Sequence, residues 1–334
     1  MDTETLMKPR RWISPLLGFA LMGATATGAV AQSFPDKPIR LVLPYSPGGV
    51  VDTVGRQIGE HLGNELGQPV VPENRPGAGG MIGASAVTRS DADGYTLLLM
   101  DPAIVINPTL QSKVPYDLKD LRVVSVVSSS PLVLVTTPQL KISTVDDLIA
   151  YGKANPGALN YGSAGVGTTP HLAAEFLQQR TGIKATHVPF RSISQSYPGM
   201  IEGKIQFSFS SIAGALPFTS DKRVNAIATT GAKRSPVFPD LPTVEESGQK
   251  GFVVDLWLGV FAPAGTPDAV VEKINEGLRT VLKRPALIKA MAKVGVQPNG
   301  TTVAEGTDFV KSEFDKWKDV IETAGIKGAA GKAK

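Results

Sequence analysis

A strand, a glycine loop and a helix follow one another from Ile39 to Leu62, and the same order returns along most of the chain. Ile39-Arg40-Leu41-Val42-Leu43 is an apolar run of the length of a buried strand. Pro44, Pro47 and Gly48-Gly49 stop it. Asp52 follows, and Val54, Ile58 and Leu62 recur at helical spacing. A unit of this kind, repeated, restricts the chain to α/β architectures built on parallel sheets. In open sheets of that type, ligands bind outside the carboxyl ends of the strands, which is where this loop lies. The unpaired N–H groups and positive dipole end of a helix start suit an anion. Gly48 and Gly49 carry no Cβ to hold a ligand away from the backbone. The loop reads equally well as an ordinary βα turn with Asp52 as helix N-cap.

The unit recurs. Pro69 to Pro72 is a short strand running into Glu73-Asn74-Arg75-Pro76-Gly77-Ala78-Gly79-Gly80, and Met81 to Ser90 reads as a helix. Tyr95 to Met100 is a buried strand that ends at Asp101-Pro102-Ala103. Leu121 to Val127 and Leu132 to Val135 read as two further strands, and Ser143 as the cap of a following helix. Leu159-Asn160-Tyr161 leads into Gly162-Ser163-Ala164-Gly165-Val166-Gly167-Thr168-Thr169, and Pro170 suits the first turn of the next helix. Ser163 and Thr168 offer hydroxyl donors for a carboxylate. Thr186 to Phe190, followed by Arg191, and Ile205 to Phe209, followed by Ser210, are further strands with polar residues at their ends. Loops with binding chemistry thus fall in two groups, 44–103 and 163–211. That grouping predicts two domains facing each other across a cleft.

The length of 334 residues agrees with two domains. A hydrophobic content of 42% supplies two cores. The net charge of +4 is spread without a basic run, and aromatics are 6%, so nucleic acid is not an expected partner. Residues 1–31 read as a signal peptide. Lys8, Arg10 and Arg11 precede an apolar stretch, and Ala29-Val30-Ala31 fits a cleavage site before Gln32. Met7 is an alternative start, and Arg10-Arg11 alone does not separate twin-arginine from general export. The predicted location is therefore periplasmic. The chain has no cysteine, which excludes thiolate nucleophiles and cysteine-held metals.

The catalytic readings are weak. Around Ser163 the nucleophile-elbow pattern would need glycine at Tyr161. His61, His171 and His187 show no metal spacing, and His171 is expected to bridge its loop by a hydrogen bond. No G-x-G-x-x-G or G-K-[ST] occurs. No cofactor, metal or catalytic residue is expected; a serine hydrolase is the remaining enzymatic alternative.

The stretches FPDKPIRLVLPYSPGGVVDTVGR, GQPVVPENRPGAGGMIGA, DGYTLLL, LNYGSAGVGTTPHLAAE, AKRSPVFPDLPTVEESG and VFAPAGTP, in that order, resemble the Bug family. These are the extracytoplasmic solute-binding receptors of tripartite tricarboxylate transporters. The resemblance implies a type II periplasmic binding protein fold, an α/β architecture of two Rossmann-like domains with the ligand cleft between them. It places domain 1 at 32–133 and 256–334 and domain 2 at 134–255. It implies a monomer that closes like a Venus flytrap on a small carboxylate, a di- or tricarboxylate or an aromatic acid, and passes it to membrane permease subunits. Presentation of the closed form to a sensor-kinase ectodomain is the alternative. By the same resemblance the ligand-binding residues are Tyr45, Ser46, Gly48, Gly49, Asp52, Gly77, Ala78 and Gly79 on one side, and Ser163, Ala164, Gly167, Thr168, His171, Pro189 and Phe190 on the other. Their strand-end positions add Asp101 to the first group and Ser210 to the second, and Arg191 reads equally as a second anion contact or as an ordinary exposed arginine. Ser210 stands where relatives carry a carboxylate, which argues for a ligand without an ammonium group.

Overall fold

A computed structural model describes residues 34–328. The expected signal peptide, its cleavage site and the alternative start lie outside those residues. Among the described residues no helix is long and apolar enough to cross a membrane.

Strands β1 (Ile39–Leu43), β2 (Val70–Asn74) and β3 (Thr96–Met100) form one half of the sheet, with β1 parallel to both neighbours. Helices α1 (Val50–Leu66) and α2 (Met81–Thr88) connect them, and α3 (Ala103–Leu110) follows β3. The apolar runs read in the sequence are buried because helices cover both faces of a parallel sheet. Val54, Ile58 and Leu62 form the buried stripe of α1, and Gly67 closes the helix in the left-handed conformation that a residue with a Cβ adopts only at a cost.

The two strands expected between Leu121 and Val135 are one, β4 (Leu121–Thr136). It runs antiparallel to β9 (Asp255–Pro263) as far as the pair Pro131–Asp255. From Leu132 onward it pairs instead with β7 (Phe207–Ser211) and β8 (Asn225–Thr229). Pro131 sits where the strand changes partners, so its missing N–H interrupts the interior of neither ladder.

The second half holds β5 (Leu159–Ser163), parallel to both β6 (Ala185–Pro189) and β7. It carries α4 (Val145–Ala154), α5 (Thr169–Thr181), α6 (Tyr197–Ile201) and α7 (Ile212–Ser220). Thr144, not Ser143, caps α4, in a reciprocal box with Asp147. Helices α8 (Asp268–Val281), α9 (Pro285–Ala292) and α10 (Val303–Ala324) complete the chain. The buried Trp257 and Trp317 both donate Nε1–H to Glu313 Oε2 at 3.0 Å, which ties α10 to β9. The strand order is β2-β1-β3-β9-β4-β7-β5-β6, with β8 also on β4. The sheet is therefore mixed rather than parallel: the ladders that β4 and β9 make at its centre are antiparallel.

Candidate functional site

The three loops after β1, β2 and β3 are stitched together by side chains. Tyr45 donates its hydroxyl to Asp101 Oδ1 at 2.7 Å, and Asp101 also accepts the Ala103 N–H at 3.1 Å, at the start of α3. Burial raises the Asp101 carboxyl, and burial with the Asp101 charge beside it raises the Tyr45 phenol far above its usual range, so the phenol remains a donor. Asn74 Nδ2 donates to Tyr45 O at 3.0 Å and to Asp52 Oδ1 at 2.9 Å, while Arg56 donates to Asn74 Oδ1 at 2.8 Å. Asn107 on α3 donates to Gly79 O at 3.0 Å and so fixes the second glycine loop. In that loop Gly77, Ala78, Gly79 and Gly80 all have positive φ.

Asp52 is not the N-cap of α1; Gly49 is. From the first turn Asp52 reaches back to accept the Gly48 N–H at 2.9 Å and pairs with Arg56 at 2.9 Å. The Arg56 hydrogen bond, above all, holds its carboxyl down to about 2. Asp52 is thus a pin that shapes the loop, and what the loop presents is its exposed rim, Ser46, Gly48 and Gly49, with the N–H groups of the first turn, which have no intrahelical acceptor. Asn74→Ala removes three hydrogen bonds from this junction. It is expected to cost about 2 kcal/mol, read as a lower urea midpoint at unchanged slope.

Across the sheet, the loop after β5 differs from expectation. Ser163 is fully buried, with its Oγ hydrogen-bonded to His187 Nε2 at 2.6 Å and accepting the Gly165 N–H at 3.0 Å. Thr168 Oγ1 donates to Gly165 O at 2.8 Å. Both hydroxyls fold the loop instead of standing free as donors. His171 is buried and accepts the Gly167 N–H on Nδ1 at 3.0 Å, which is the bridging role read in the sequence and takes the ring out of reach of a ligand. Its ring stacks on His187 with centroids 4.1 Å apart, and Tyr161, whose hydroxyl donates to Glu175, stacks on His187 in turn. Burial pushes His171 down to about 3 and His187 down to about 4, so both rings are neutral at pH 7. The Ser163–His187 pair is taken up in folding the loop, since the same Oγ also accepts the Gly165 N–H.

Pro189 and Arg191 are exposed and Phe190 and Ala164 half-buried at the same edge. Ser210 is misplaced by the sequence reading. It is fully buried and accepts the Tyr197 hydroxyl at 2.9 Å. Side chains alternate along a strand, and its neighbour Ser211 is the one that faces the space between the sheet halves. The argument from Ser210 to a ligand without an ammonium group therefore loses its geometric basis.

A cavity of about 260 Å³ lies at that junction, bounded by the start of α1, Asp101-Pro102, the middle of β4 and β9, and the start of α7. A larger surface groove, of about 1010 Å³, lies between α3, the start of β4 and α10 and contains none of the expected site residues. Asn74, Arg56, Asn107 and His187 were not singled out in the sequence. Only pairing of β5 with β6, which sets Tyr161 beside His187, would have pointed to the last of them.

Residues 54–326 match the family model described as "Tripartite tricarboxylate transporter family receptor". The chain is similar to protein BugT of Bordetella pertussis, with 34% identity over 312 residues, 92% of this chain and 96% of that one. Its structure is similar to that of the periplasmic binding protein BugD, at TM-score 0.68 and 29% identity, covering 88% of this chain and 99% of BugD. It is also similar to that of Rpa4515 of R. palustris with adipate, at TM-score 0.71 and 31% identity over 88% and 99% of the two chains.

Proposed function

The chain belongs to the tripartite tricarboxylate transporter receptor family, and from that premise we propose that it captures a small organic carboxylate in the periplasm and delivers it to the membrane subunits of such a transporter. The observation that carries this reading is that the β1, β2 and β3 loops are stitched together through Tyr45, Asn74, Asp52 and Asp101, and that Asp101-Pro102 and the start of α1 line the cavity where β4 exchanges β9 for β7. The rim at Ser46 to Gly49 and Ala78-Gly79 and the open first turn of α1 supply donors for one carboxylate. Periplasmic binding in BugD and adipate in Rpa4515 support the location and the ligand class.

In this reading residues 32–133 and 256–334 form one lobe and 134–255 the other. The chain passes between them at Pro131 and near Asp255, where β4 exchanges β9 for β7. A ligand that touches both lobes favours the closed form through contacts available only there. The test is a thermal-shift screen of the chain from Gln32 to Lys334 against mono-, di- and tricarboxylic acids. A ligand at a hundred times its Kd adds about 2.7 kcal/mol of stability, so a bound acid raises the melting temperature by several degrees. Scattering from the same complex gives a smaller radius of gyration. Silence across all the acids would count against the receptor reading.

A further inference from the structure

We propose that the cavity at the base of the cleft receives the ring of an aromatic monocarboxylate, and that Ser128 binds a hydroxyl on that ring. The inference rests on the carboxylate-receptor reading and narrows it.

The cavity is walled mainly by apolar groups, among them Val51, Pro102, Ile212, Trp257 and Leu258. No lysine, arginine or histidine lines it, and Asp101 is its one ionisable group. The Oδ1 of Asp101 already accepts from Tyr45 and Ala103. A second carboxylate placed here would lose its water, meet another carboxylate and find no cation, a combination that buried charges do not tolerate. The end of the ligand that enters is therefore uncharged. An apolar cavity of about 150 Å³ accommodates benzene, so about 260 Å³ has room for a substituted ring.

The ring hydroxyl follows from a separate observation. Ser128 lines the cavity, is 1% exposed, and its Oγ has no hydrogen-bond partner among the described residues. The other lining serines are occupied: Ser130 Oγ accepts the Gln297 N–H at 3.0 Å, and Ser211 Oγ accepts the Gly214 N–H at 3.2 Å. A buried hydroxyl left unpaired is costly, and a ligand hydroxyl in the cavity would satisfy it.

The experiment is titration calorimetry of the chain from Gln32 to Lys334 with benzoate, the three hydroxybenzoate isomers, adipate and 4-aminobutyrate, with Trp257 fluorescence followed in parallel. Benzoate is expected to bind, and one hydroxybenzoate isomer to bind about five- to tenfold more tightly. In Ser128→Ala that preference is expected to vanish while benzoate affinity holds. Ile212→Trp, which fills the cavity, is expected to weaken both ring acids more than tenfold; should it fail to fold, the Ser128→Ala comparison still decides. Adipate binding with the aromatic acids silent would overturn the proposal and leave the receptor reading intact. Binding of 4-aminobutyrate alone would do the same, by assigning the cavity to an ammonium beside Asp101. Equal affinities for benzoate and all isomers would overturn the role of Ser128. Binding by none of these acids would overturn the proposal, and silence of the wider acid screen would overturn the receptor reading with it.

Discussion

Gly167→Val is expected to destabilise the protein by about 3 kcal/mol or more. Gly167 has φ of +81°, a conformation that costs an L-residue about 1–2 kcal/mol and a β-branched one the most. A Cβ built there would also collide with Leu110 Cδ2, on α3 of the other sheet half. Leu110 is 2% exposed and its carbonyl accepts the Gly328 N–H at 2.7 Å, so it has no space to retreat into. Overpacking of this kind typically costs about 1–3 kcal/mol. The two contributions separate in a double-mutant cycle. Leu110→Ala alone should cost about 2–5 kcal/mol. In the double variant the valine methyls occupy the vacated volume, so the steric share is recovered and the conformational share is not. Urea unfolding of the four proteins gives the coupling directly. A Gly167→Val protein within about 0.5 kcal/mol of the parent would mean that this loop is not held against α3.

The same loop shows what a sequence can and cannot disclose. β1 was legible to the residue, because an apolar run between prolines and glycines has few alternative readings. The strand–loop–helix order around Ser163 was legible for the same reason. β4 was not, because Ser128-Ser129-Ser130-Pro131 reads as a break unless the change of partners there is known. α3 and α7 were hidden by Pro108 and Pro217 inside them and by nearly continuous apolarity, which leaves no period to detect. In the candidate site, the loops lie at the strand ends where the sequence puts them, but the side chains on them were assigned by chemical type. Asp52, Ser163, Thr168 and His171 have the chemistry of ligand contacts, yet each is spent on holding its own loop. Which way a hydroxyl turns depends on residues remote in sequence, such as His187, 24 positions from Ser163. Ser210 and Ser211 differ only in the strand face they occupy, and a shift of one residue decides between core and cleft.

Acidification from pH 7 toward 4 is expected to weaken the fold through the stacked His171 and His187. In the folded chain these rings accept protons only near about 3 and about 4, whereas histidine in an unfolded chain does so near 6.5. Between those values the unfolded state binds more protons, so stability rises with pH. The contribution is complete above about 6.5 and is lost progressively as pH falls through that window. Glu175, 3.8 Å from His171 Nε2, acts in the opposite sense, since burial raises its carboxyl and the folded chain keeps a proton there that the unfolded chain releases. Replacing the rings isolates their share. His171→Asn retains an acceptor near the Nδ1 position and His187→Gln a polar atom near Nε2, and neither titrates. Between pH 6.5 and 4.5 the parent is expected to lose roughly 2–5 kcal/mol more than the double variant, at about 1.4 kcal/mol per unit for each ring. Urea midpoints at pH 7.0, 5.5 and 4.5 measure it, and parallel slopes for the two proteins would refute the assignment. The loop is where the loss should begin. Nδ1 of His171 accepts the Gly167 N–H, and a proton placed there turns the acceptor into a second donor. The bond that holds Gly167 against its helix is then replaced by a repulsion, with a second cation forming on the ring 4.1 Å away. Hydrogen exchange at the Gly167 amide should therefore accelerate at a higher pH than exchange in β1 or β3.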